Sequence, residues 1–354
     1  MKNGLKKGTI ARLKKGIALA LALLLVVGML AACGQKADTA TTDTAADSAT
    51  TETPKAVSIG AVQLVEHPAL DSAYEGFIEG MAEAGYVEGQ NLTIDFQNAQ
   101  GDANNLSTIA DSFVSQNKDL IFSITTDATQ AMASKTTEIP IIATAVTDYE
   151  GAKLVDSNEA PGGNVTGTSD MNPVSEQIAL ALELVPTAET VGFIYNSSED
   201  NSVIQVDMAK AAVEAAGKKW TEVTVTGTND VQQAATSLVK KCDVIYIPTD
   251  NTLASSMPIV GEVTNKAKIA VVCGESNMVN EGGLATLGID YKSLGKQTAA
   301  MAVKVIEGAD PATLPIEFAT TGNTVTINKE TVEAIGITIP EKYADSVVMP
   351  EEAE

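Results

Sequence analysis

The sequence predicts an α/β protein made of two doubly wound parallel-sheet lobes. Three observations carry that expectation. From Ala56 onward, short β-branched runs alternate with amphipathic stretches at helical spacing, and such alternation builds parallel sheets with helices on both faces. Some 300 residues follow Lys55, too many for one ordinary core and suited to two lobes of roughly 150 each. The alternation also restarts midway, at Asn172-Pro173.

Val57–Gln63 reads as the first strand. Leu70, Tyr74, Phe77, Met81 and Ala84 then recur at helical spacing until Gly85 stops the helix. Asn91–Gln97 is the next strand, followed by a helix with Leu106, Ile109, Ala110, Phe113 and Val114 on one face. Asp119–Ile124 is a strand, Thr126–Lys135 a helix that Thr126 or Asp127 can cap, Ile139–Val146 a strand and Asn164–Ser169 the fifth. Asn172 reads as an N-cap and Pro173 as the first turn of a helix reaching about Leu184. The second block runs strand Thr190–Tyr195, helix Asn201–Ala216, strand Trp220–Thr226, helix Asp230–Val239, strand Asp243–Ile247 and a helix through Met257–Asn265. Strands Ile269–Val272 and Leu284–Gly288 and a helix over Lys292–Glu307 follow. Pro311 and Pro315 interrupt the chain before Thr324–Ile327 and a short helix after Asn328.

The N-terminal segment differs in kind. Lys2, Lys6, Lys7, Arg12, Lys14 and Lys15 precede an uncharged apolar run from Gly16 to Ala32, the pattern of a secretory signal peptide over 1–32. The run is also about as long as a bilayer-spanning helix. Its end, Leu30-Ala31-Ala32-Cys33-Gly34, resembles the lipobox of bacterial lipoproteins, which implies cleavage before Cys33 and acylation of that cysteine. An uncleaved anchor with an incidental cysteine is the competing reading. In either case the remainder is tethered outside the membrane, on the extracellular face of the cell. Residues 33–55, with scarcely an aliphatic side chain larger than Ala, read as a flexible tether.

Charge excludes whole classes of partner. Without the six basic residues of the signal, 17 basic residues face 46 acidic ones, a net charge of −29. Nucleic acid and anionic lipid surfaces repel such a chain. Arg12 is the sole arginine and leaves with the signal, so the mature protein has no guanidinium fork for a carboxylate or phosphate. After Cys33 only Cys242 and Cys273 remain. They are not spaced as a metal knuckle or redox pair. Cys242 precedes one strand and Cys273 follows its expected parallel neighbour, so both are expected as free thiols at opposite ends.

In doubly wound sheets ligands lie beyond the carboxyl ends of the strands. The residues there are Gln63 and Glu66, Thr125 and Thr126, Thr144, Ser169 and Asp170, Asn196 and Ser202, Thr249, Asp250 and Asn251, Glu275, and Asp290. These are the candidate ligand-binding residues. Turn and cap chemistry explains each singly; converging from two lobes, they describe a cleft. His67, the only histidine, is either a cap or surface residue or a ligand contact, and alone it makes no metal site. No G-x-S-x-G elbow, P-loop, H-E-x-x-H or EF-hand motif is present, and neither a catalytic set nor a cofactor or metal is expected.

Five stretches, Glu66-His67-Pro68-Ala69-Leu70-Asp71, Asn98-Ala99-Gln100-Gly101-Asp102, Pro161-Gly162-Gly163-Asn164-Val165-Thr166-Gly167, Tyr246-Ile247-Pro248-Thr249-Asp250-Asn251 and Gly288-Ile289-Asp290-Tyr291, carry a family resemblance. Over about Ala56 to Pro340 the chain resembles the substrate-binding proteins of ABC transporters, specifically the lipoproteins associated with tryptophan and tyrosine uptake. The resemblance implies a type I periplasmic-binding-protein fold with two lobes joined by a three-segment hinge: 56–170 plus 291–315 as lobe one, 171–288 plus 322–345 as lobe two, and hinges near Asp170, Asp290 and Phe318. It implies a monomer, an ABC permease as membrane partner and an aromatic amino acid as ligand. A buried ammonium needs a carboxylate, for which Asp170, Asp250 and Asp290 are the candidates. With no arginine, the ligand carboxylate is assigned to the helix start at Thr125-Thr126. Glu275 departs from the shorter acid that the family pattern implies there. An extracellular enzyme on a similar scaffold and a sensor addressing a membrane kinase are the competing functions; the lipobox-like segment, the tether and the missing catalytic set favour the transport receptor over the enzyme, whereas sequence does not separate transport from sensing.

Overall fold

The computed structural model describes residues 56–320 and 324–350. The expected signal (1–32), Cys33 and the tether (33–55) lie outside the described residues, as do 321–323 and 351–354.

The first block contains β1 (Val57–Gln63), α1 (Pro68–Glu83), β2 (Leu92–Asn98), α2 (Ala103–Ser115), β3 (Leu120–Ile124), α3 (Thr126–Ala133), β4 (Ile141–Val146) and β5 (Val165–Ser169). The second contains α4 (Val174–Leu184), β6 (Thr190–Asn196), α5 (Asp200–Ala215), β7 (Lys219–Val225), α6 (Val231–Leu238), β8 (Val244–Ile247), α7 (Asn251–Ala254), α8 (Met257–Ala267), β9 (Ala270–Cys273), α9 (Ser276–Asn280) and β10 (Ala285–Gly288). The chain then supplies α10 (Tyr291–Ile306) and β11 (Glu317–Phe318), and last β12 (Thr324–Asn328), α11 (Lys329–Ile335) and β13 (Val347–Val348).

Two sheets result. The order β11-β5-β4-β3-β1-β2 is parallel throughout, and β13-β12-β10-β9-β8-β6-β7 is parallel except where β12 runs against β10. The fold class expected from the alternation is therefore the one observed. The chain passes between the sheets three times: after β5, after β10 and after β11.

The inner strands of each sheet are buried on both faces, as βαβ crossovers require. On the first, Phe77 of α1 stacks on Phe122 of β3 with ring centroids 3.7 Å apart, while Phe113 of α2 covers the other face among Val62, Ile121 and Ile141. Burying such a phenylalanine contributes on the order of 1.5–3 kcal/mol. Helix α10 returns to lie along α1. The two approach so closely that a Cβ on Gly76 would sit 2.0 Å from the Lys292 carbonyl oxygen, and one on Gly295 2.0 Å from that of Ala73. The second sheet is built likewise, with Val206, Val213, Phe193 and Tyr246 in one core and Leu238, Ile245, Leu253 and Val271 in the other.

Several local expectations need correction. Asn172 is not the cap of α4. Pro173 stands at that position with φ −76° and ψ 79°, outside the helical region, and the helix begins at Val174. Thr125, rather than Thr126 or Asp127, caps α3, its hydroxyl accepting from the Ala128 amide at 3.3 Å. Helices α7 and α9 and strands β11 and β13 were not anticipated. Val244 pairs with Ala270 and Ile247 with Cys273, so Cys242 and Cys273 lie toward opposite ends of neighbouring strands; both are free and buried.

Candidate functional site

The carboxyl ends of the two sheets face each other across a narrow cavity. From the first block come His67 and Leu70 at the start of α1, Ala145 and Thr147 beyond β4, and Asp170 after β5, with Tyr291 opening α10 beside them. From the second come Thr249, Asp250, Asn251 and Ala254 after β8, and Glu275 and Met278 after β9. The space open to the centre of a water molecule is about 10 Å³, so the walls are nearly in contact.

Local backbone geometry sets these side chains. The pairing of β4 with β5 is irregular between Ala143 and Val146. There Ala145 takes φ 53°, and Gly167 opposite has φ 154°, where a Cβ would lie 1.9 Å from the Ala143 carbonyl oxygen. The irregularity carries Thr147 into the wall. His67 holds the N-cap position of α1 but makes no side-chain cap. Its ring reaches across the cavity instead, with Nε2 3.3 Å from Asn251 Oδ1.

Three carboxyl groups share the cavity. Asp170 accepts from the Thr147 hydroxyl at 3.1 Å and from the Tyr291 hydroxyl at 2.6 Å. Asp250 caps α7, accepting from the Leu253 amide at 2.8 Å, the Asn196 amide at 2.6 Å and the Ser202 hydroxyl at 2.7 Å. Glu275 caps α9, accepting from the amides of Asn277 and Met278 at 2.6 and 2.7 Å. Burial without a cation raises all three pKa values. Asp250 is pushed up to about 8, by desolvation first and by the neighbouring Glu199 second. Glu275 rises to about 7, chiefly by desolvation, and Asp170 rises for the same reason. Desolvation lowers His67 to about 4, so its imidazole is neutral near pH 7.

Gln205 donates to the Thr249 hydroxyl, and across the cavity the Thr147 and Thr249 hydroxyls lie 3.5 Å apart. Beside it, Gln130 of α3 donates to Asp200 of α5 at 3.1 Å. There Asp127 is raised to about 7 by desolvation and then by the negative charges of Glu199 and Asp200.

Of the candidates read from sequence, Asp170, Thr249, Asp250, Asn251 and Glu275 line the cavity. The others do not. Gln63 is buried behind it, donating to Asp71 at 2.7 Å, and Glu66 is exposed. Thr126 is 2% exposed, with a hydroxyl that has no partner. Thr144 pairs with Thr168 at 3.0 Å, and Ser169 donates to the Thr147 carbonyl at 2.8 Å. Asn196 and Ser202 act through Asp250. Asp290 is exposed and caps α10 through the Lys292 amide at 2.9 Å and the Ser293 hydroxyl at 2.7 Å. Sequence reasoning missed Leu70, Ala145, Thr147, Ala254, Met278 and Tyr291 as wall residues. Three of these are aliphatic or thioether side chains on helices, with the pattern of core. Thr147 follows directly on β4, whose end at Val146 is the same in the sequence reading and the structure, so the strand-end rule could have found it.

Among the described residues no cluster of His, Cys, Asp and Glu is arranged to hold a metal ion, and no helix is long and apolar enough to cross a membrane.

Comparison with known proteins identifies this architecture. The family model for ABC transporter substrate binding proteins matches residues 58–348. A tyrosine-binding protein of Clostridioides difficile (strain R20291) is 43% identical over 323 residues, spanning 91% of this chain and 92% of that protein. The crystal structure of an ABC domain in complex with L-Trp from Streptococcus pneumoniae is 39% identical, with a TM-score of 0.80 over 83% of this chain and all of the other. The ligand-free, open structure of a substrate-binding protein with adhesive properties from Clostridium difficile is 42% identical, with a TM-score of 0.65 over the same shares. The better superposition on the ligand-bound structure agrees with the narrowness of the cavity.

Proposed function

The chain belongs to the ABC transporter substrate-binding protein family, and on that premise we propose that it captures an aromatic amino acid between its two lobes for delivery to a membrane permease. The observation that carries the ligand class is the mixed lining of the cavity. Leu70, Ala145, Ala254 and Met278, with the ring of Tyr291, supply apolar surface, and Asp170, Asp250 and Glu275 supply carboxyl groups. A flat apolar ring suits the apolar side chains and an ammonium the carboxyl groups, since a buried cation needs a carboxylate partner. The relatives that bind tyrosine and L-Trp support the same choice.

The cavity as it stands is too narrow to admit an aromatic side chain, so capture requires the lobes to part and close again. The passages after β5, β10 and β11, near Asp170, Asp290 and Phe318, are the proposed hinges, and the lobes they join are 56–170 plus 291–315 and 171–288 plus 322–345. Cys33 is the proposed site of lipid attachment and residues 33–55 the proposed tether, which place a monomeric receptor on the extracellular face beside its permease.

Calorimetric titration with tryptophan, tyrosine, phenylalanine and leucine tests the ligand class. Tryptophan or tyrosine is expected to bind at one site per chain, more tightly than leucine. If no aromatic amino acid binds below about 1 mM, some 4 kcal/mol, the ligand assignment is wrong.

A further inference from the structure

The cavity of this protein is built almost wholly of hydrogen-bond acceptors. Asn251 donates through its amide nitrogen to Glu199 at 2.8 Å, which leaves Asn251 Oδ1 as an acceptor. His67 Nε2, 3.3 Å from that oxygen, must then carry the ring proton. Nδ1 of the neutral imidazole is left as a lone-pair acceptor; it is buried and has no partner. The hydroxyls of Thr147 and Tyr291, which could have donated to a ligand, are both spent on Asp170, and that of Thr249, which accepts from Gln205 and faces the Thr147 oxygen at 3.5 Å, is the one wall hydroxyl left to donate. Two of the helix starts that face the cavity, where backbone N–H groups would attract an anion, are occupied by the chain's own acids, Asp250 on α7 and Glu275 on α9; the third, that of α1, opens on Pro68, which has no N–H, and its Leu70 and Asp71 amides donate back to the His67 carbonyl. No lysine lines the cavity, and the sole arginine of the sequence is Arg12. The remaining helix start nearby, that of α3, has Asp127 in its first turn with the negative charges of Glu199 and Asp200 beside it.

We propose, resting on the reading of this cavity as an aromatic amino acid site, that it selects its ligand by the ammonium and that the carboxylate contributes little. Its ligand class then extends to aromatic primary amines lacking a carboxyl group and excludes the corresponding acids lacking an amine. An ammonium brings donors to Asp170, Glu275 and His67 Nδ1, which have acceptor capacity to spare. A carboxylate brings only acceptors, into a space already holding three acids and lined by no lysine or arginine, where its own charge would be buried without a cation.

The test is calorimetric titration of the unsubstituted protein with two ligand series: tyrosine, tyramine and 3-(4-hydroxyphenyl)propionate, and tryptophan, tryptamine and indole-3-propionate. In the series that binds, the amine is expected within about tenfold of the amino acid, and the deaminated acid weaker by at least about 30-fold. If amino acid and deaminated acid bind alike while the amine does not, the selection rule is overturned and the amino acid reading stands. Amines that bind where amino acids do not would uphold the rule and overturn that reading. No binding in either series would overturn both.

Discussion

At the scale of single residues, three aspartates that look alike in sequence occupy different positions in space. Asp170, Asp250 and Asp290 each follow a strand, but the first two are buried in the cavity wall and Asp290 is exposed on the outside of α10. Glu275, longer by a methylene than the family pattern implies, is also in the wall. Removing one partner of a buried charge pair costs on the order of 2–5 kcal/mol. Glu275→Gln should therefore weaken binding of an aromatic amino acid at least about 30-fold, read by calorimetry, at 1.4 kcal/mol per decade. Asp290→Ala should leave affinity within about threefold while lowering stability by roughly 0.5–2 kcal/mol through loss of the α10 cap. The opposite ranking of the two substitutions would move the site to the outer face of α10.

At the scale of elements, the packing of α1 on α10 and the pairing of β8 with β9 make two further predictions. Gly295 sits where any side chain would drive into the α1 backbone at Ala73. Gly295→Ala should lower the midpoint of thermal unfolding, at a cost of about 1–3 kcal/mol from overpacking; an unchanged midpoint would show that the helices can separate freely. Burial pushes the Cys242 thiol up to about 12 and raises that of Cys273 well above its usual value, and a thiol reacts through its thiolate. A chain starting at Gly34 should show no reactive thiol when native at pH 8 and two after unfolding without reductant. Detecting fewer than two would mean the strands pair in another register. The long elements were legible because a 16-residue helix such as α1 or α10 repeats its apolar face several times. Helices α7 and α9, of 4 and 5 residues, complete barely one turn and leave no period to read. Their starting residues, Asp250 and Glu275, therefore registered as isolated polar residues at strand ends and not as caps aimed inward.

At the scale of the whole molecule, closing the empty cavity gathers acids that water would otherwise keep apart. Asp250 at about 8 and Glu275 and Asp127 at about 7 all bind protons more tightly in the closed arrangement than a solvated carboxyl group does, at about 4. His67, lowered to about 4, works the other way below its ordinary value, but it is one group against three, so the closed form holds more protons than an open form with hydrated side chains. Lowering the pH favours closure of the ligand-free protein, and the stabilisation is lost as pH rises from about 4 toward 8. Small-angle scattering should accordingly give a smaller radius of gyration without ligand at pH 5 than at pH 8. At pH 8 an ammonium-bearing ligand should restore the smaller radius, because its charge replaces the protons. A radius that depends on neither pH nor ligand would exclude the hinge.

The order of strands and helices, the two-block organisation, the strong net acidity and the absence of arginine from the folded part were all determined by the sequence itself. They depend on residue type and periodicity, which are local properties of the chain. The family resemblance was likewise legible, carried by short runs such as Tyr246-Ile247-Pro248-Thr249-Asp250-Asn251. The direction in which each strand-end side chain faces was decided only by the tertiary structure. Thr147 enters the wall because β4 and β5 pair irregularly at Ala145, and His67 becomes a lone-pair acceptor because Asn251, 184 positions along the chain, fixes its tautomer. Tyr291 spends its hydroxyl on Asp170 because the chain has crossed back between the sheets. Such relations join residues remote in sequence, and they exist only once two separately folded sheets present their carboxyl ends to one another.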